Sequence, residues 1–282
     1  MDAGRRSPTG HPKSAGRGDP HSPGHQCFAV GALVVSPESL ARVRRALQPW
    51  AEVRFCDSGA ELLALIAKTY CDAIVVEPRD TSGAPVAPVV REIRRDFPSL
   101  PIAAYCPLTP DGAQAIAVFT KAGVDNIILA GGDDLGAAMR GMLALAPKAR
   151  VTADVLAAVA PLVPPEAVPI LTYGLDHADD ALTVGGMAKA LHVHRRTLGN
   201  RLAAAGLPAP HTVLVWCRLL LAARLLEDSG RSADSVALAL DFGSGSDFRT
   251  ALRRYTGLRP LDVRQGGGLR CLLPLFMERL AA

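Results

Sequence analysis

Within eight positions the chain places His194, Arg195, Arg196, Thr197, Asn200 and Arg201, a mixture of guanidinium, amide, imidazole and hydroxyl groups with little apolar material between them. Arginine can bond both acceptors of a guanine, asparagine can pair with adenine, and threonine can meet a phosphate or a thymine methyl. On one face of a helix these side chains suit a DNA major groove. Seen alone, a solvated basic helix face explains them equally well, because arginine is also a good helix former. A second set further along weakens that plainer explanation. Ser244 and Asp247 have the spacing of a capping box at the head of a helix, so Ser246, Arg249, Thr250 and Arg253 are expected to project outward, with Ser244 at the helix start. Arg254 is expected to reach phosphate or pack at the rim. The GSGS run is read as a turn, since no strand and lysine frame it as a phosphate cradle.

Each set needs a scaffold. Met187, Ala188, Leu191, Val193, Leu198 and Leu202 fall where a compact helix-turn-helix requires apolar contacts, and Val236, Ala237, Leu240, Phe242, Phe248 and Leu252 repeat the pattern. Between them TVLVWCRLLLAARLLED is nearly continuous apolar, as expected of a core helix that touches both units and fixes their separation. Charge follows the same division. Segment 182–264 carries twelve basic and six acidic residues, whereas 27–181 carries thirteen and eighteen, out of a chain total of +4. A polyanion partner is implied for the first segment and disfavoured for the second.

This layout, with the segments VHRRTLGNRL and DFGSGSDFRTALRRYTGLRPLDVR, resembles the AraC-type DNA-binding domain of bacterial transcription regulators. The resemblance covers roughly 180–265. It implies two recognition helices about 34 Å apart that enter consecutive major grooves of double-stranded DNA, with a homodimer and RNA polymerase as further partners. Two positions depart from the pattern. Asp241 stands where the family usually has glycine, and Val263 where tyrosine often precedes the terminal arginine, here Arg264. The first bears on the turn into the second recognition helix.

Ahead of this segment, from Phe28 to about Ala146, short β-like runs alternate with amphipathic helices five times. Such a series implies a parallel sheet with helices on both faces. Ser58 and Glu61 have capping-box spacing, and Thr109 with Pro110 marks another helix start. The element order, DAIVVE before a proline and GVDNIILA near the end resemble a receiver domain of the CheY type. That resemblance implies a flavodoxin-like sheet, strand order 2-1-3-4-5. It also matches Glu77 to the phosphate-accepting aspartate, Ser36 with Pro37 to the metal-binding acidic pair, Cys106 to the hydroxyl and Ala130 to the lysine. Without an acidic pair there is no cage of oxygen ligands for Mg²⁺, and without the lysine the developing phosphoryl charge lacks a partner. The segment is therefore expected to be a pseudo-receiver serving dimerisation or signal input. Glu77 has two readings, a permanent mimic of the charged state or a solvated loop carboxylate.

The chain is thus read as a disordered arm (1–27), an α/β flavodoxin-like domain (28–149), a helical connector (150–181) stopped in its first helix by Pro164-Pro165, an all-α domain with two helix-turn-helix units (182–265) and a C-terminal tail (266–282) expected to dock back on that domain. The longest apolar candidate, Val213 to Ala223, is short and interrupted by Arg218, so no membrane segment is expected. Six cysteines without a CxxC pair fit a reducing cytoplasm, and no metal or cofactor is implied. No paired carboxylates or nucleophile with its base are gathered, which argues against an enzyme. Two rival readings are a DNA-binding architectural protein without base choice and an interaction module with a vestigial DNA-binding half. Acetyl phosphate with Mg²⁺ is expected to leave the chain unlabelled, and stoichiometric phosphorylation would sink the pseudo-receiver reading.

Overall fold

The computed structural model describes residues 28–281 apart from 49 and 133, so the arm expected at 1–27 lies outside the described residues. The first half runs β1 (Phe28–Leu33), α1 (Pro37–Leu47), β2 (Ala51–Phe55), α2 (Gly59–Lys68), β3 (Ala73–Val76), α3 (Ala87–Asp96), β4 (Ile102–Pro107), α4 (Pro110–Ala122), β5 (Asn126–Ala130) and α5 (Leu135–Leu143). All four strand pairs are parallel and the order is β2-β1-β3-β4-β5, the arrangement expected from the sequence. Alternation along each strand feeds two cores. Leu33, Ile74, Val76, Ile102 and Ala104 face α2, α3 and α4, while Val30, Ala32, Val75, Ala103 and Tyr105 face α1 and α5. Burial on both faces explains why these strands read as continuous apolar runs.

Helix starts follow side-chain capping. Ser36, Thr109 and Asp134 each accept a backbone N–H from the third residue on, at 3.1, 3.1 and 3.0 Å. Ser58 likewise accepts from Glu61 at 3.2 Å, but the Glu61 carboxylate takes the N–H of Asp57 at 2.8 Å instead of that of Ser58. The expected reciprocal box therefore closes one residue early.

The second half is helical: α6 (Pro147–Val159), α7 (Val168–Asp176), α8 (Val184–Ala190), α9 (Arg195–Ala204), α10 (Pro210–Leu226), α11 (Ala233–Ala239), α12 (Gly245–Thr256), α13 (Pro260–Gln265) and α14 (Leu269–Ala281). Helix α6 ends ahead of Pro164-Pro165, because the chain tightens into a closing turn in which the N–H groups of Leu162 and Val163 both reach the Val159 carbonyl, at 2.8 and 3.1 Å. Eleven of the seventeen residues of α10 are buried, so the helix needs neighbours on every side. It finds them in α6, α7, α14 and both helix-turn-helix pairs. The C-terminal segment is a helix in its own right, with Leu269, Leu272, Phe276 and Leu280 buried. Phe276 lies 5.4 Å from Trp216 of α10, ring centre to ring centre.

The halves meet around a buried cation. Lys148, on the first turn of α6, donates to both carboxylate oxygens of Asp179 at 2.8 and 3.0 Å and stands 3.8 Å from the buried Asp72. Asp72 also accepts the Ala29 N–H at 2.8 Å and the Tyr70 hydroxyl at 2.9 Å. Burial alone would lower the affinity of Lys148 for its proton, but Asp72 and Asp179 outweigh it and hold the ammonium above the ordinary lysine range.

Replacing Phe276 by alanine is expected to lower stability by about 3–5 kcal/mol. In a Trp50→Phe background, the same change should shift Trp216 emission to the red as α14 loosens. Urea unfolding and fluorescence spectra check both.

Candidate nucleic-acid interface

The two helix-turn-helix units share one backbone design. Thr183 caps α8 by accepting the Gly186 N–H at 3.0 Å, and Ser232 caps α11 by accepting that of Ser235 at 3.0 Å. After α8 the chain passes through His192 with φ 52°, and after α11 through Asp241 with φ 53°. The next N–H groups, of Val193 and Phe242, return to the carbonyls of Ala188 and Ala237, each at 2.9 Å. This 6→1 closure ends both helices with a left-handed residue. Asp241 therefore makes the same turn as its counterpart in the first unit. Aspartate visits the left-handed region at low cost because its short side chain bonds locally.

The apolar sets assemble as expected. Met187, Ala188, Leu198 and Leu202 are buried in the first unit, and Val236, Ala237, Leu240, Phe248 and Leu252 in the second, while Leu191, Val193 and Phe242 are half-buried at the turns. Phe242 packs on Phe248 at 5.1 Å and beneath the guanidinium of Arg218 at 5.3 Å.

All eleven polar positions singled out in the two units are exposed. Their local roles differ. His194 is the residue before α9, and its Nδ1 accepts the Arg196 N–H at 3.4 Å, so it caps the helix. Arg195 lies back across α8, where a Cβ on Gly185 would come within 2.1 Å of its guanidinium. Arg196, Thr197, Asn200 and Arg201 project from α9. In the second unit Ser244 caps α12, accepting the Asp247 N–H at 3.1 Å and donating its hydroxyl to the Asp247 carboxylate at 2.8 Å. Ser246, Thr250 and Arg253 project from α12. Arg249 pairs with Asp234 at 3.0 Å across the unit, an exposed contact of little energetic weight that leaves the guanidinium available. Arg254 is exposed and sits over the Tyr255 ring at 5.9 Å.

One cationic feature escaped the sequence reading. Arg249, Arg253, Arg259 and Arg264 converge on a groove of about 490 Å³ beside α12, walled by Leu226 and Leu261. Arg259 precedes α13, a helix too short to be signalled by periodicity, and Arg264 lies in its last turn.

At the carboxyl ends of the strands a cleft of about 1030 Å³ is lined by Ser36, Arg42, Glu77, Tyr105 and Ala130 among others. Glu77 is neither a loop carboxylate left to solvent nor an unengaged charge. Half-buried, it accepts the N–H groups of Val35 and Ser36 at 2.7 and 3.3 Å and so ties β3 to the loop after β1. Cys106 is buried, and burial pushes its thiol up to about 11. Among the described residues no group of three or more histidine, cysteine or carboxylate side chains is placed to hold a metal ion, and no helix is long and apolar enough to cross a membrane.

His192→Gly is expected to raise stability by about 1 kcal/mol, the cost of holding a non-glycine residue left-handed, and Asp241→Gly by less. Urea midpoints measure both, and a loss of stability at either position would contradict the shared turn.

Residues 187–266 match a family model described as a helix-turn-helix domain. No curated protein matches the chain. Among solved structures, it is similar to the signal receiver domain of an HD domain-containing protein from Pseudomonas fluorescens Pf-5, with 18% identity over 43% of this chain and 90% of that one and a TM-score of 0.38. It is also similar to full-length FixJ from B. japonicum, at 14% identity over 70% of this chain and 97% of that one with a TM-score of 0.36. A third similarity is to RcsB from Salmonella enterica serovar Typhimurium bound to promoter rprA, at 16% identity over 66% and 97% with a TM-score of 0.34. Scores of this size fall short of a common whole-chain arrangement. Within the chain itself, residues 187–266 form an AraC-type helix-turn-helix domain, and they follow an α/β domain with the strand order of a receiver.

Proposed function

We propose that the protein is a sequence-specific DNA-binding transcription regulator in which α9 and α12 enter consecutive major grooves. The observation that carries this reading is repetition. Two units built on the same capped helix and left-handed turn present exposed arginine, asparagine, threonine and serine side chains, and they lie in the segment where basic residues outnumber acidic ones two to one. Arg196, Thr197, Asn200 and Arg201 are assigned to the first half-site, and Ser246, Arg249, Thr250 and Arg253 to the second. His194 and Ser244 position the starts of their helices, where backbone N–H groups suit a phosphate. Arg259, in the basic groove, is assigned to the DNA backbone.

The α/β domain serves as an input or dimerisation module that works without phosphorylation. Support comes from the Glu77 carboxylate, which is committed to two backbone donors, and from the buried thiol at the position of the receiver hydroxyl. RNA polymerase is the further partner this reading calls for.

Selection from random duplexes tests the reading, followed by competition with unrelated DNA at matched salt. A specific reader retains an advantage of about 10³ or more, and a binder without base choice loses it. Arg196→Ala is expected to cost about 1–3 kcal/mol at one base pair and to relax specificity there, whereas Arg259→Ala should weaken all sequences evenly and reduce the salt dependence by about one counterion. An even loss for Arg196→Ala would remove it from the base-reading set.

A further inference from the structure

Each helix-turn-helix unit is preceded by a short segment that is tied to the α/β domain. Ahead of α11 runs Asp228-Ser229-Gly230-Arg231. The Asp228 carboxylate accepts the Ser99 N–H at 3.0 Å and the Ser99 hydroxyl at 2.8 Å. The Ser229 hydroxyl lies 3.4 Å from the Arg95 carbonyl, and the Gly230 N–H donates to the Asp96 carbonyl at 2.7 Å. Arg231 is buried, donates to the Ile66 carbonyl at 3.2 Å and stands over the Phe97 ring at 5.3 Å, with Asp228 at 3.5 Å. Ile66 is in the last turn of α2, where carbonyls lack helical partners and a cation is favoured. Gly230 approaches so closely that a Cβ there would lie 2.7 Å from the Asp96 Cβ and 2.9 Å from the Asp96 carbonyl oxygen and from the Phe97 ring. Helix α11 itself packs on α2.

Ahead of α8 the arrangement has a counterpart. Asp179, four residues before the α8 cap Thr183, is bound by Lys148, which stands between it and the Asp72–Tyr70 pair of the α/β domain. Removing one member of such a buried set leaves an uncompensated charge, so these contacts form together or not at all. Yet the reading faces are clear of the α/β domain, with Arg196, Asn200, Thr250 and Arg253 all exposed.

We propose that the α/β domain is a jig for the two readers: by gripping the segment ahead of each helix-turn-helix unit, it sets the separation and relative angle of α9 and α12. A signal received by that domain then acts by loosening the grip and changing which half-site spacing is accepted, not by uncovering a masked face. The competing account is that α10, which packs against both units, fixes them alone and the α/β domain rides along.

Distance measurement on the full chain separates the two. Spin labels at Asn200→Cys and Arg253→Cys, with Cys27→Ser and Cys271→Ser so that the native thiols left are buried ones, report the reader-to-reader distance without DNA. Gly230→Val wedges the second grip open, Arg231→Met weakens it more gently, and Lys148→Met releases the first. Circular dichroism confirms that each variant is folded, and hydrogen exchange at the Ser99 amide reports undocking. The expected result is a narrow distance distribution in the parent that broadens in the variants as Ser99 loses protection. Two results would overturn the proposal: distributions that superimpose on the parent's despite undocking, or a Ser99 amide that stays protected in every variant. A second arm rests on the DNA-binding reading above. Duplexes with the half-site spacing changed by one base pair either way should be discriminated about tenfold less by the variants than by the parent, with affinity for a single half-site unchanged. Failure of the parent to select any duplex would sink that reading alone, because the distance arm uses no DNA.

Discussion

A helix that is apolar on most of its sides can meet water along little of its length, and α10 imposes that demand on the whole second half of the protein. Its neighbours are recruited from both directions along the chain: α6 and α7 before the first helix-turn-helix unit, α13 and α14 after the second. Each reader turns one apolar stripe toward α10 and leaves the opposite face to charge. Packing therefore leaves the outer faces of α9 and α12 as the places where the arginines of the two readers stay in water.

The α/β sheet shows how one side chain can fasten the loops at its strand ends. The strands run in the order β2-β1-β3-β4-β5 over two apolar cores, and the cleft at their carboxyl ends is braced from within. Glu77 turns back onto the chain and supplies an acceptor to two N–H groups of the loop after β1, so the carboxylate does structural work. Neither donor belongs to the sheet ladder, and the Glu77 side chain supplies the partner that the ladder does not.

Much of this was legible in the sequence, for identifiable reasons. Strands buried on both faces announce themselves as unbroken apolar runs, and helix starts such as Thr109 and Ser244 carry their own caps. The apolar stripes of the two readers, Leu198 with Leu202 and Phe248 with Leu252, were legible by their spacing. What could not be read were contacts between residues far apart in the chain. Nothing near Lys148 in sequence points to Asp72 or Asp179, and nothing near Gly230 points to Phe97. Helix α14 was hidden by its glycine-rich approach and by Pro274 inside it, and α13 by being only six residues long. The inward lie of Arg195 depends on Gly185, a neighbour across a turn, so exposure alone did not separate it from Arg196.

The Lys148 cluster also has a temporal side. Its three charged members come from positions 72, 148 and 179, and synthesis delivers them in that order. Asp72 lies beside Tyr70 in the α/β half, but its counter-ion Lys148 follows the last strand of the sheet and is free to reach it only once α6 has left the ribosome. A carboxyl in that position is disfavoured as an anion until an ammonium arrives. The α/β half thus emerges with one unfinished electrostatic site, closed by the helix that follows it.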